Sequence, residues 1–292
     1  MEVRWASQES HNAAWVRDLV KKWIEDIGSF RFCAACSDST GNTLSARSLL
    51  EKEYPFIISL ADICHHLDNT AKDIVQIDYF SNAVRIVRGT IKTFTRSNLG
   101  RSSLASAREK LQTGPGLEKV GNTGFVTITL SSISVQRTLP AIKQVVVDGN
   151  FQFDFSNYFE DPQTDEGHAF QNELRHLILA TISLAMALAC LEGNDANPAD
   201  VFIFWHAAIF TIEKALNNTK NRFPTHAKES ILSILNHRHA QLFTEGGRLY
   251  SMVYVTAAYL NPAYLDSDLF VDGERNPLEP TPADIIEHLK QR

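Results

Sequence analysis

Two short apolar runs, each followed by a stretch with helical periodicity, constrain the fold most. The first run covers residues 30–36 and the second covers residues 56–60. Helix-like spacing of apolar residues follows each run, over residues 43–53 and 64–77, and another helical pattern over residues 12–27 precedes both. Runs this short are typical of buried strands. The order helix, strand, helix, strand, helix therefore predicts an α/β unit in residues 1–78.

The pattern changes beyond Tyr79, where long helical periodicities predominate. They cover residues 80–95, 99–113, 170–191, 199–217 and 226–243. We therefore expect residues 79–292 to form a helical domain and the whole chain to be mainly helical. Residues 123–130 and 145–155 contain many β-branched side chains and suit either a helix or a hairpin, and this choice stays open.

Composition favours a globular intracellular protein. The chain is 44% hydrophobic and 10% aromatic, enough for a sizeable core. Residues 1–5 lack the apolar centre of a secretory signal, and four cysteines in 292 residues are too few for a disulfide framework. The uncharged run His176–Leu191 is shorter than the roughly 20 apolar residues that span a bilayer. We expect a buried helix there and no membrane partner.

The net charge of −6 conceals one basic region. Residues 83–147 contain ten basic and two acidic side chains, a balance of +8, so the remaining chain has a charge of −14. Most of the cations lie between Arg85 and Lys110. Such a cluster is an electrostatic footprint for nucleic acid, although a solvated helix face would have the same composition.

Asp38 is a candidate metal ligand because it follows directly on the first predicted strand. A strand fixes the direction of such a carboxylate, and the small polar residues after it leave the carboxylate open to substrate. The alternative is that Asp38 caps the next helix. Cys33 and Cys36, with Cys64 near in sequence, suggest zinc, but residues three apart on a strand point to opposite faces, which argues against joint chelation.

A series of short motifs occurs in a characteristic order over residues 10–264. They are Ser37-Asp38-Ser39-Thr40-Gly41-Asn42-Thr43, Asp62-Ile63-Cys64-His65-His66-Leu67, Gly116 to Phe125, Ser134 to Ile142, Ala199 to Trp205 and Tyr259-Leu260-Asn261-Pro262-Ala263-Tyr264. In order and spacing this series resembles the hAT superfamily of DNA transposases, and it is most similar to the transposase-like proteins abundant in fungal genomes.

The resemblance implies a ribonuclease-H-like core interrupted by a large helical insertion. In that family three acids hold two divalent metals for DNA strand cleavage and transfer. Asp38 matches the second acid. The chain begins after the strand that bears the first acid and ends before the third, so a catalytically incomplete protein is expected. Mg²⁺ or Mn²⁺ is expected only if the missing acids come from outside this chain.

The resemblance also assigns DNA contacts. Asp62 and His65 match a motif that positions the transposon end, and Phe125 matches an aromatic residue that stacks on a flipped base. Gly124 replaces the arginine that precedes this aromatic, and a phenylalanine in an apolar segment also suits a core. The cations expected to contact DNA are Arg85, Arg88, Lys92, Arg96 and Arg101.

These observations lead to three functional hypotheses. The first is a nuclear, transposase-derived protein without autonomous activity that binds DNA or a partner, including a second copy of itself. The second is an active metal-dependent transposase whose missing acids lie outside this chain. The third is a helical interaction module with no role on nucleic acid.

Overall fold

A computed structural model describes residues 12–119, 121, 126–160, 162–264, 284, 285 and 287. Of these residues, 74% are helical and 3% lie in strands. The prediction of a mainly helical chain with a small α/β part is confirmed at this level. The finer assignment to a ribonuclease-H-like core is not.

The contacts divide the chain into two compact units. Unit 1 comprises residues 1–65 and 239–292, and unit 2 comprises residues 66–238. Residues 239–264 thus group with residues 12–65, a grouping that the sequence-based boundary between residues 78 and 79 does not contain. The assignment of 1–78 to a partial core and 79–292 to an insertion stays a prediction.

Unit 1 begins with helix α1 (Ala13–Ile27), as the periodicity predicts. Asn12 caps it, because its side-chain oxygen accepts a hydrogen bond from the Trp15 N–H at 2.9 Å. Gly28 ends it at a φ of 103°, a backbone conformation that favours glycine.

The two predicted strands form a parallel pair. Strand β1 (Ala34–Ser37) and strand β2 (Ile58–Ala61) pair in register from Ala34 opposite Ile58 to Ser37 opposite Ala61. Helix α2 (Gly41–Glu53) connects them and packs on both strands and on α1. Ile24, Leu50 and Ile57 form a buried core cluster in this unit. The described part of unit 1 also includes the first residues of α3 (Ile63–Val75) and helix α10 (Met252–Leu260).

All regular elements in the described part of unit 2 are helices. Its helices are the remainder of α3, α4 (Ser81–Arg96), α5 (Asn98–Leu111), α6 (Val126–Val147), α7 (Asp165–Leu191), α8 (Pro198–Asn217) and most of α9 (Thr225–Phe243). Helices α4, α6 and α7 pack against one another, with α5 on α4 and α6 and with α8 on α7. Asn197 and Asp200 form a capping box at the start of α8, with Pro198 in the first turn.

Helix α6 decides the open choice between helix and hairpin in favour of the helix for residues 126–130 and 145–147. Its hydroxyls bond inside the helical layer: Thr138 Oγ1 donates to Ser134 O at 2.7 Å, and Thr129 Oγ1 donates to Thr181 Oγ1 on α7 at 2.9 Å. Burial between neighbouring helices thus outweighs the β preference of the individual side chains. Within residues 148–155 the structure contains turns and irregular chain, with no strand.

Helix α7 includes the predicted buried run. By length and composition it is the one described helix that could cross a membrane, with a mean hydropathy of 1.9 in its most apolar window. In this structure 56% of that window is buried within the protein, and the core helix of a soluble protein has the same composition.

Candidate functional site

Helix α4 presents four cations on one side. Its buried residues include Ile86, Val87 and Ile91, so the apolar face points into unit 2. The cations recur at intervals of three, four and four residues, which places them on one face of a helix. All four are exposed: Arg85, Arg88, Lys92 and Arg96.

Three of these cations line a cleft of about 570 Å³ together with Lys119. Its other lining residues are Ile91, Thr95 and Gly121, so its described lining includes no acidic side chain. Arg88, Lys92, Arg96 and Lys119 make no hydrogen bond or ion pair to any residue that the structure describes. Four unneutralised positive charges around one cleft create a strongly positive local potential.

The segment before Lys119 is fixed on helix α6. The Glu118 N–H donates to Ser134 Oγ at 3.0 Å, and Ser131 Oγ donates to Glu118 O at 3.1 Å. Arg137 Nη2 forms an ion pair with Glu118 Oε1 at 3.2 Å. The nearest acid in sequence therefore already has a cationic partner, and Lys119 adds its charge to the cleft.

The other two predicted DNA-binding cations have protein partners. Arg85 Nη2 donates to the Tyr158 hydroxyl at 3.1 Å, and its guanidinium carbon lies 5.2 Å from the centre of the Phe155 ring. Arg101, on α5, donates to Thr95 O at 3.1 Å. The structure thus brings together Arg88, Lys92 and Arg96 of the predicted set, adds Lys119, and leaves Arg85 and Arg101 outside the cleft lining.

In unit 1, Asp38 and Asp62 follow the carboxyl ends of the two paired strands. Ser37 lies opposite Ala61, and the Asp62 N–H donates to Ser37 O at 2.8 Å, so both acids leave the same edge of the sheet. This is the position from which the sequence predicted Asp38 to act.

Asp38 is held by hydroxyl groups of the next turn. Thr43 Oγ1 donates to Asp38 Oδ1 at 2.5 Å, and Thr40 Oγ1 donates to the same oxygen at 3.2 Å. The hydrogen bond from Thr43 lowers the pKa of Asp38 most, against partial burial, and Thr40 and the nearby His65 lower it further. The residue at the N-cap position of α2 is Thr40, so Asp38 orders the turn without itself being the cap.

Asp62 caps helix α3. Its Oδ1 accepts a hydrogen bond from the His65 N–H at 3.1 Å, three residues on, as in a standard N-cap. The His65 ring is exposed at the first turn. The Asp62-x-x-His65 pattern therefore has a local structural role, and the expected DNA contact of these two residues stays a prediction.

Comparison with models of protein families, with curated proteins and with solved structures yields no match. The resemblance to hAT transposases thus depends on the motifs of this chain.

Sequence reasoning did not single out Arg47. Only 4% of this residue is exposed, and its Nη1 donates to Ser37 O at 3.1 Å at the end of strand β1. Burial lowers its pKa, whereas Cys36, Tyr254, Asp38 and Asp62 favour its charged form. The spacing of residues in α2 did not predict that Arg47 is buried, because this helix has only a weakly amphipathic pattern.

The residues at this sheet edge do not suit a resident pair of divalent metals. The described residues contain no group of three or more His, Cys, Asp or Glu side chains arranged to hold a metal. One oxygen of the Asp38 carboxylate already accepts two hydroxyl hydrogen bonds, and the buried Arg47 cation lies close enough to interact with both acids. A cation in that position opposes a second positive charge.

Two further predictions concern residues elsewhere. Phe125, the expected base-stacking residue, lies outside the described residues. Cys33 precedes strand β1 while Cys36 lies within it, and both are free and exposed, as is Cys190.

Proposed function

We propose that this protein is a transposase-derived DNA-binding protein of the hAT type, which binds the DNA backbone through the cationic face of α4. The observation that supports this most is the cleft formed by Arg88, Lys92, Arg96 and Lys119, whose four charges have no acidic partner among the described residues. Phosphate contacts from lysine and arginine supply most of the affinity in sequence-independent DNA binding.

The length of the cationic face of α4 suits a contact with the DNA backbone. From Arg88 to Arg96 the helix advances eight residues, about 12 Å at the ~1.5 Å rise of an α-helix. This distance equals the rise of three to four base pairs at ~3.4 Å each. The three α4 cations therefore span several neighbouring phosphates, while Lys119 approaches from the segment fixed on α6.

The same proposal assigns no autonomous DNA cleavage to this chain. The strand-end carboxylate of Asp38 is engaged by Thr40 and Thr43, and its surroundings include the buried charge of Arg47. Cleavage of this type requires Mg²⁺ or Mn²⁺ together with further acids beside Asp38. Nuclear location and self-association belong to the proposal because of the resemblance alone.

Fluorescence anisotropy with a labelled duplex at low salt tests the DNA contact. We expect the wild type to bind and the double variant Arg88→Ala with Arg96→Ala to bind more weakly. The matched control, Lys52→Ala with Lys214→Ala, removes two exposed cations away from the cleft and the same net charge. Equal weakening in both double variants would show a bulk charge effect and contradict a site on α4. Absence of binding in the wild type would favour the helical interaction module.

A further inference from the structure

A second cavity in unit 2, of about 970 Å³, has the chemistry of a binding site for a phosphorylated ligand. It lies among residues of α6, α7 and the connection between α8 and α9, apart from the residues that line the α4 cleft. Three cations line it, Arg175, Lys220 and Arg222, against a single acid, Glu173. Its volume lies within the ~300–1,000 Å³ typical of small-molecule sites.

The loop that presents two of these cations is rigidly held. The Asn221 carbonyl oxygen accepts hydrogen bonds from His176 Nε2 at 2.6 Å and from Arg175 Nη2 at 2.9 Å. The Asn221 side chain in turn donates to Ala215 O at 2.8 Å. The backbone of Lys220 and Arg222, on either side of Asn221, is therefore held in place, which reduces the entropic cost of binding a ligand there.

Behind the loop, His176 is buried and fully engaged. Its Nε2 donates to a carbonyl, so its Nδ1 is the acceptor for the Tyr79 hydroxyl at 2.7 Å. Its ring also stacks on Phe223, with centroids 4.1 Å apart. The histidine supports the wall and leaves no free nitrogen for proton transfer.

The backbone at Arg222 is left-handed, with a φ of 56°, which is uncommon for a residue other than glycine. Here it ends the helical turn Thr219–Asn221, where the Arg222 N–H donates to Thr219 O at 3.3 Å. Neither the Arg222 nor the Lys220 side chain bonds to any residue within the described ranges. Both charges are available to an anion.

The remaining polar groups suit a nucleobase. Gln136, Gln171 and Asn172 line the cavity, and each amide offers both a donor and an acceptor, as the edges of bases do. Gln171 Nε2 is buried and has no hydrogen-bond partner in the described part of the chain. Burial raises the pKa of Glu173, and Asn82 Nδ2 donates a hydrogen bond to its carboxylate at 3.5 Å.

We propose that this cavity binds a nucleotide, with its phosphate on Lys220 and Arg222 and its base against the three amides. The nucleotide is either free or part of a DNA strand. The site shares no lining residue with the α4 cleft. The nucleotide proposal can therefore be tested independently of the DNA-binding proposal.

Isothermal titration calorimetry with AMP, CMP, GMP and TMP, and with a single-stranded oligonucleotide, tests the site. The test variant is Lys220→Gln with Arg222→Gln, and the charge-matched control is Lys52→Gln with Lys214→Gln. We expect at least one mononucleotide to bind, and its affinity to fall about tenfold or more in the test variant only, because two charge-assisted contacts are lost. The double variant Arg88→Ala with Arg96→Ala should bind the mononucleotide as the wild type does.

The possible outcomes separate the two sources of the nucleotide. Weakened mononucleotide binding in the test variant supports a free nucleotide. If only the oligonucleotide binds and the test variant weakens it, the nucleotide of a DNA strand is supported. The proposal is overturned if the test variant matches the control with every ligand, or if the corresponding nucleosides bind as tightly as the nucleotides.

Discussion

Thr43 Oγ1 donates a hydrogen bond to Asp38 Oδ1 across 2.5 Å, at the end of strand β1. This bond lowers the pKa of Asp38 below its ordinary value more than any other contact does. Thr43→Val should therefore raise that pKa, while Thr43→Ser, which retains the hydroxyl, should leave it low. Carbon-detected NMR titration of the carboxylate measures it.

The lowered pKa of Asp38 determines how the stability of the fold changes with pH. A carboxylate with a lowered folded-state pKa stabilises the fold above its unfolded pKa of about 3.9, and that stabilisation is lost as pH falls through the folded value. Thr43→Val should make the free energy of unfolding less dependent on pH in the acidic range. A Thr43→Val protein with an unchanged Asp38 pKa would show that the hydroxyl does not control this group.

His176 gives a second pH dependence. Burial, and then the charge of Arg175, lower its pKa, although the Asn221 carbonyl raises it. Its contribution is complete above the unfolded value of about 6.5 and is lost as pH falls through the folded value. Urea denaturation between pH 5 and 8 should show that the wild type loses more stability towards acid than His176→Gln does. A larger loss of stability in His176→Gln than in the wild type would contradict the assignment of His176 as a buried neutral histidine.

Gly89 is required by the close approach of Phe155. A Cβ at residue 89 would lie 1.9 Å from an atom of the Phe155 ring. Glycine inside a helix otherwise costs ~0.5–1 kcal/mol relative to alanine, so only the packing explains its presence. Gly89→Ala should destabilise unit 2 by about 1–3 kcal/mol in chemical denaturation.

Gly41→Ala is the matched control, because nothing lies within 4 Å of a Cβ there. Its effect should stay within about 0.5 kcal/mol. Equal stability of the two variants would mean that the Phe155 ring moves away at no cost.

The purified chain, given Mg²⁺ or Mn²⁺, should neither nick nor join DNA with terminal inverted repeats. Of the two strand-end carboxylates, Asp38 accepts two hydroxyl hydrogen bonds and Asp62 caps helix α3, and neither is free to hold the metal pair of such a reaction. Gel analysis of a labelled substrate measures this. Metal-dependent cleavage that Asp38→Asn abolishes would contradict the prediction and support the active-transposase hypothesis.

The local elements were predictable where the spacing of apolar residues is clear. Helix α1 between Asn12 and Gly28 and the alternation of two strands with helices were all expected. Helix α6 was ambiguous, because its β-branched residues suit a strand until burial against α4, α5 and α7 is known. The grouping of residues 239–264 with the N-terminal segment depends on long-range contacts that local patterns do not contain.

The candidate sites were predictable only in part. The spacing of Arg88, Lys92 and Arg96 already places them on one helix face. Lys119 joins them only because Glu118 is fixed on α6 through Ser134. No local sequence pattern predicted how the loop around Asn221 is positioned. The buried residue that holds it, His176, lies 45 positions away in the sequence.

The salt dependence of DNA binding tests the central claim most directly. If Arg88, Lys92, Arg96 and Lys119 engage phosphates, the logarithm of the affinity should fall with the logarithm of salt concentration by about 0.9 per contact. Arg88→Ala with Arg96→Ala should flatten that slope by roughly two units, measured by fluorescence anisotropy beside the wild type. Identical slopes for the two proteins would contradict a DNA-binding face on α4.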